Sequence, residues 1–260
     1  MVTTLLPFLF IFLVGRGAVA DSNPYNSSVP PINTTSCNSN VFERIDKNNV
    51  ALLIVDHQVG LFNMVKDYTP TEFSNNILAH AALGKYFNLP VVLTTTGEAG
   101  PNGPLPQEIL DMYPDVPVIK RQGEINAWDN PDFQAAVKAT GKKQVILAGI
   151  TTEVCTAFLA MSLREAGYTV FANAEASGAT SLRAANDAND RMRSGGVHVY
   201  SMFAIVSDLM RDWRNKPGSL EMMPWFFKYF PAYGYLVRAH VASIKSGVIF
   251  PGEDESVKAV

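Results

Sequence analysis

Gln144-Val145-Ile146-Leu147-Ala148, followed by Gly149-Ile150-Thr151-Thr152-Glu153-Val154-Cys155, is the stretch whose reading decides the fold of this chain. Its first five residues are an apolar run of strand length, and 156–167 is a helix-forming stretch closed by Gly167. Cys155 therefore falls in the first turn of a helix at the carboxyl end of a strand. Unpaired backbone N–H groups and the positive end of the helix dipole favour a thiolate there. The placement reads as a nucleophile more readily than as a small apolar packing residue.

Outward from this stretch the same alternation continues. Short β-branched or apolar runs at 50–55, 91–95, 117–120, 169–172 and 198–202 read as strands. Helical patterns fall at 71–87, 107–113, from Pro131 onward, and at 181–193; Asn130 is placed to cap the third and Pro131 to occupy its first position. Strands alternating with helices imply a parallel sheet covered on both faces, with its site at the strand carboxyl ends near the point where strand order reverses. Three of those ends carry chemistry: Asp56 on the first strand, Lys120-Arg121 on the third and Cys155 on the fourth. A base for the thiol proton, a cation and a helix-start thiol make a nucleophilic hydrolase. Adjacent strand residues face opposite ways, so only one of Lys120 and Arg121 can point at the thiol. Taken singly, Asp56 also reads as a loop cap, the basic pair as a solvated strand end and Cys155 as core.

Composition limits the partners. The 260 residues are 47% hydrophobic and 17% charged, with a net charge of −3. This is a globular composition without the basic footprint that nucleic acid or an anionic membrane requires, so a small-molecule partner is expected. The first turn, Asp56-His57-Gln58-Val59-Gly60, has no dinucleotide glycine pattern, and no Walker A pattern occurs. His57, His80, His198 and His240 show no ligand spacing, so neither a metal nor another cofactor is expected; His57 reads as a structural or rim residue. Residues 1–20 read as a signal peptide, with an apolar core at 5–14 and Ala18-Val19-Ala20 before the cleavage point, the alternative being a short membrane anchor. Residues 21–42 read as a disordered arm with glycosylation acceptors at Asn26 and Asn33, which makes a secreted protein the expectation. Cys37 in that arm is free or pairs between chains. The hydrolase domain is expected over 43–237 and a tail over 238–260, while the aromatic segment 217–250 packs on the domain or on a neighbouring subunit.

Several motifs together resemble the isochorismatase-like cysteine hydrolases, in their YcaC-like branch. They are Val55-Asp56-His57-Gln58, Thr94-Thr95, Gly100-Pro101-Asn102-Gly103-Pro104, Ile125-Asn126-Ala127-Trp128-Asp129-Asn130, the Ala148–Cys155 stretch and Arg211-Asp212-Trp213-Arg214-Asn215. The resemblance spans about residues 43–237 and implies an αβα sandwich, three layers around a six-stranded parallel sheet, assembled as a homo-oligomer. It places the catalytic aspartate at Asp56, the cysteine at Cys155, the cation at Arg121 with Lys120 as the alternative, and a cis peptide between Ile150 and Thr151. The amides of Thr151 and Cys155 would then form an oxyanion hole. Phe62, Asn126 and Trp128 are the expected pocket residues. Glu175 stands where relatives commonly have aspartate. The implied reaction is hydrolysis of a small amide-like C–N substrate through a thioester. The alternatives are isochorismatase-type ether cleavage, and a secreted binding or effector protein on the same fold.

Overall fold

The computed structural model describes residues 42–247. The expected signal peptide, the expected glycosylation acceptors Asn26 and Asn33, Cys37 and the last part of the tail lie outside the described residues.

Six strands form one sheet: β1 (Val50–Val55), β2 (Val91–Thr96), β3 (Val118–Arg121), β4 (Gln144–Gly149), β5 (Thr169–Asn173) and β6 (His198–Tyr200). Their order is β3-β2-β1-β4-β5-β6, and every neighbouring pair is parallel. The chain lays down one half of the sheet from β1 outward, then returns to β1 with β4 and builds the other half. The reversal point therefore lies between β1 and β4, where Val55 stands beside Gly149. Gly149 is needed there for space. A Cβ on it would lie 2.5 Å from the Val55 carbonyl oxygen.

β1 is buried along its whole length because both faces of the sheet are covered. Leu52 and Ile54 point into one apolar layer with α1 (Pro70–Tyr86), α2 (Gln107–Met112), α6 (Met202–Met210) and α7 (Ser219–Tyr229). Leu53 and Val55 point into the other, with α3 (Pro131–Ala139), α4 (Ala157–Glu165) and α5 (Leu182–Ser194). The predicted cap of α3 is present: Asn130 Oδ1 accepts from the Phe133 amide at 3.0 Å, with Pro131 in the first helical turn.

The structure departs from the sequence reading in three places and decides between two alternatives in a fourth. The last strand stops at Tyr200, because Ser201 caps the unforeseen α6 by accepting from Ala204 N. Cys155 does not open the α-helix directly. It lies in a π-helical turn, Thr152–Thr156, ahead of α4, in which the Thr156 amide reaches back to the Thr151 carbonyl at 3.1 Å. The boundary expected at 237 falls inside α8 (Pro231–Ser246). The aromatic segment packs on the domain through α7: Trp225 and Phe226 are buried, and the Trp225 indole donates to the Ala79 carbonyl of α1 at 3.2 Å. Burial of Phe226 alone stabilises by about 1.5–3 kcal/mol.

Candidate active site

The two chemical groups nearest the reversal point are Asp56 and Cys155. Asp56 is the residue after β1, with a φ of 53°, a left-handed turn that aspartate tolerates better than most side chains. Its carboxyl group is fully buried and within hydrogen-bonding reach of the Cys155 thiol. Cys155 is itself buried, at 8% exposure, and the Thr151 backbone amide is close enough to lower its thiol pKa. The Ile150–Thr151 peptide bond that presents this amide is cis.

The neighbouring basic residues are separated by strand parity. The buried Arg121 side chain engages all three guanidinium nitrogens. Nη2 donates to both Asp56 oxygens, Nη1 to the carbonyls of Glu124 and Ile125, and Nε to Thr94 Oγ1 at 3.1 Å. Thr94 is held in turn, its hydroxyl donating to the Ile119 carbonyl at 2.8 Å. A lysine presents one nitrogen and could not reach these three directions together. Lys120 points the other way, with a 61% exposed side chain paired to Glu98 at 2.7 Å. Arg121 shares the cluster with Asp56 and Cys155, and Lys120 does not.

The electrostatics correct one expectation. Burial, reinforced by the charge and hydrogen bond of Asp56, pushes the Cys155 thiol up to about 12, although Arg121 and the Thr151 amide pull the other way. The helix-start position therefore does not hold a resting thiolate. Burial also raises Asp56 above the ordinary carboxylate range, opposed by the charge and hydrogen bonds of Arg121 and by the thiol. The resting cluster is a thiol donating to a carboxylate that a guanidinium accompanies. Burial makes that carboxylate a stronger proton acceptor than one in water.

The expected pocket residues Asn126 and Trp128 share one turn after β3, and Phe62 lies in the turn after β1. The Phe62 ring meets Phe73 edge-on at 5.3 Å. The Asn126 amide donates to Ser162 Oγ at 2.9 Å, and its oxygen accepts from Trp128 N. Trp128 packs edge-on against Tyr168 and against the apolar layer that contains Cys155. Thr94 and Gln58 stand in the family motifs, but the sequence reading gave them no role in the site. Gln58 joins the β1 end to the β2 end and to the Gly-Pro-Asn-Gly-Pro loop, with bonds to Thr96 N, Thr96 O and Gly103 O. Their signal was their position next to, or one strand from, Asp56. No group of three or more His, Cys, Asp or Glu among the described residues could hold a metal ion.

An isochorismatase domain model matches residues 50–208. The chain belongs to the isochorismatase family of hydrolases, in its YcaC branch. It is 48% identical over 199 residues to the probable hydrolase YcaC of Escherichia coli, covering 76% of this chain and 95% of that one. The crystal structure of Escherichia coli YcaC, an octameric hydrolase of unknown specificity, superposes with a TM-score of 0.75 at 47% identity, over 77% of this chain and 98% of that one. YcaC of Pseudomonas aeruginosa, solved with hexane-2,5-diol and covalent acrylamide, gives 0.74 at 46% identity, over 76% and 98%. The secreted isochorismatase effector Isc1 of Phytophthora sojae is 24% identical over 174 residues, 66% of this chain and 82% of that one. The family's six-stranded parallel α/β fold is the one described above.

Proposed function

We propose that this isochorismatase-family chain is a cysteine hydrolase of small amide-like C–N bonds, with Cys155 as nucleophile, Asp56 as acid and base, and Arg121 as the charge-holding cation. The observation that carries it is the buried contact of Asp56 with both the Cys155 thiol and the Arg121 guanidinium at the reversal point of the sheet. The covalent acrylamide in the Pseudomonas aeruginosa relative supports the reading, since acrylamide is itself a carboxamide and adds to thiols.

Proton transfer from Cys155 to Asp56 accompanies attack of sulfur on the substrate carbonyl carbon, so the high resting thiol pKa is overcome only as the C–S bond forms. Arg121 keeps the pair near neutrality while the charge moves from carboxylate to sulfur. The amides of Thr151 and Cys155 receive the developing oxyanion. Asp56 then gives its proton to the leaving nitrogen, the C–N bond breaks and ammonia or an amine departs. Water attacks the thioester carbon, Asp56 taking its proton and returning it to sulfur as the acid product leaves. The test is an ammonia-release screen over amides, ureides and carbamoyl compounds, run beside Cys155→Ala. Ammonia release that survives this substitution would remove Cys155 from the reaction, and no release from the wild-type protein would direct the reading to isochorismatase-type ether chemistry, which does not need the thiol.

The same reading includes a secreted homo-oligomer. Secretion is supported by the signal-like residues 1–20 and by the secreted relative from Phytophthora sojae. Assembly is supported by the octameric Escherichia coli relative and by α8, along which Tyr235, Leu236, Val241 and Ile244 are exposed and only Gly234 is buried.

A further inference from the structure

We propose that His57 is a positioning residue of this site: by holding the 174–178 loop, it sets the Gly149–Thr152 peptide that presents the Thr151 amide to Cys155. The inference rests on the cysteine-hydrolase reading for its functional consequence, and on hydrogen-bond geometry for the positioning itself.

His57 follows Asp56 directly and is completely buried. Its Nε2 lies 2.8 Å from the Ala176 carbonyl oxygen. A carbonyl can only accept, so Nε2 carries the proton and Nδ1 presents a lone pair. Burial holds the imidazole neutral, its pKa lowered to about 4, so it acts as a fixed donor and not as a proton carrier. The ring is wedged edge-on between Phe73 at 6.3 Å and His80 at 6.1 Å.

The loop it holds is the backing of the nucleophile turn. Gly178 O accepts the Thr152 amide at 2.8 Å, Ser177 Oγ accepts the Gly149 amide at 3.4 Å, and Ile150 forms a parallel bridge with Gly178. Thr151 lies between these contacts, and its backbone amide is one of the two influences that lower the Cys155 thiol pKa. Side chains from outside the loop also tie its first two residues, Tyr68 Oη donating to Ala174 O at 3.2 Å and Asn76 Nδ2 to Glu175 O at 3.0 Å, while Ser177 Oγ donates back to the Asn173 carbonyl at 2.8 Å. His57 holds the middle, one and two residues before the positions that bond the nucleophile turn. One short segment, Asp56-His57, therefore supplies the base directly and the position of the amide indirectly.

A donor role and a packing role predict opposite rankings of two variants. His57→Phe fills the ring volume without a donor, while His57→Gln places an N–H near Nε2 without filling the volume. Hydrogen exchange of peptides covering 149–156 should be at least tenfold faster in His57→Phe and within about threefold of wild type in His57→Gln. Acrylamide labelling of Cys155 at pH 8, read by intact mass, should slow by about tenfold in His57→Phe. Its pH curve should move to higher pH, because the amide that stabilises the thiolate is displaced, and His57→Gln should restore both. Wild-type exchange in His57→Phe, or a greater disturbance in His57→Gln than in His57→Phe, overturns the positioning role whatever the reaction is. Wild-type protein that does not label at Cys155 overturns the nucleophile reading, and the exchange result still decides the inference.

Discussion

Replacing Arg121 tests the charge arrangement most directly. Arg121→Ala leaves the Asp56 carboxyl at zero exposure without its counter-ion and removes bonds to Thr94, Glu124 and Ile125. Breaking a fully buried pair from one side costs about 3–5 kcal/mol. At about 2–4 °C per kcal/mol for a domain of this size, the melting temperature should fall by roughly 6–20 °C. Asp56 becomes protonated at neutral pH without the cation, so the base is lost and turnover should fall by about 10²–10⁴-fold. Lys120→Ala removes only an exposed pair with Glu98, worth about 0–1 kcal/mol, and should leave both quantities nearly unchanged. Combining Arg121→Met with Asp56→Asn should destabilise by less than the sum of the single changes, because neither charge is then stranded. Calorimetry on these five variants, the two single changes of the pair included, and turnover on any substrate found in the screen give the comparison. If Arg121→Ala melts within 2 °C of wild type, or Lys120→Ala is the more damaging change, the assignment of the cation is wrong.

Four further outcomes are expected. Cys155 alkylation in the free protein should keep rising above pH 9 without a plateau near neutrality, because the thiol pKa lies near 12; a neutral plateau would mean a resting thiolate. Asp56→Asn removes the charge that raises the thiol pKa and leaves Arg121, which lowers it, so labelling at pH 8 should become faster while turnover is lost. Gly149→Ala forces a Cβ against the Val55 carbonyl and should cost about 1–3 kcal/mol in a denaturant melt, with wild-type stability disproving the close approach. Leu236→Glu with Ile244→Glu, both sites more than 60% exposed, should lower the particle mass by light scattering if α8 joins copies of the chain. An unchanged mass would place the interface elsewhere.

Much of the fold was legible because it rests on local chemistry. The apolar runs at β1 and β4, the Asn130-Pro131 helix start and the glycine-closed nucleophile segment each express a preference that a few neighbouring residues settle. Even the Lys120/Arg121 question was half legible, since strand geometry requires the two side chains to diverge. Which of them faces inward came from the family resemblance alone, which put the cation at Arg121. Its physical basis is the sheet order β3-β2-β1, which lets Asp56 meet a guanidinium 65 positions along the chain. The protonation of Cys155 was misread: the helix-start field is local and visible, whereas burial and the opposing charge of Asp56 come from distant segments and prevail. The π-helical turn and the anchoring of α7 by Trp225 likewise depend on neighbours far off in the chain. The sequence alone determined the elements and the three chemical strand ends. Only tertiary structure decided which of them meet and what charge each carries there, because dielectric and Coulomb effects act through space and not along the chain.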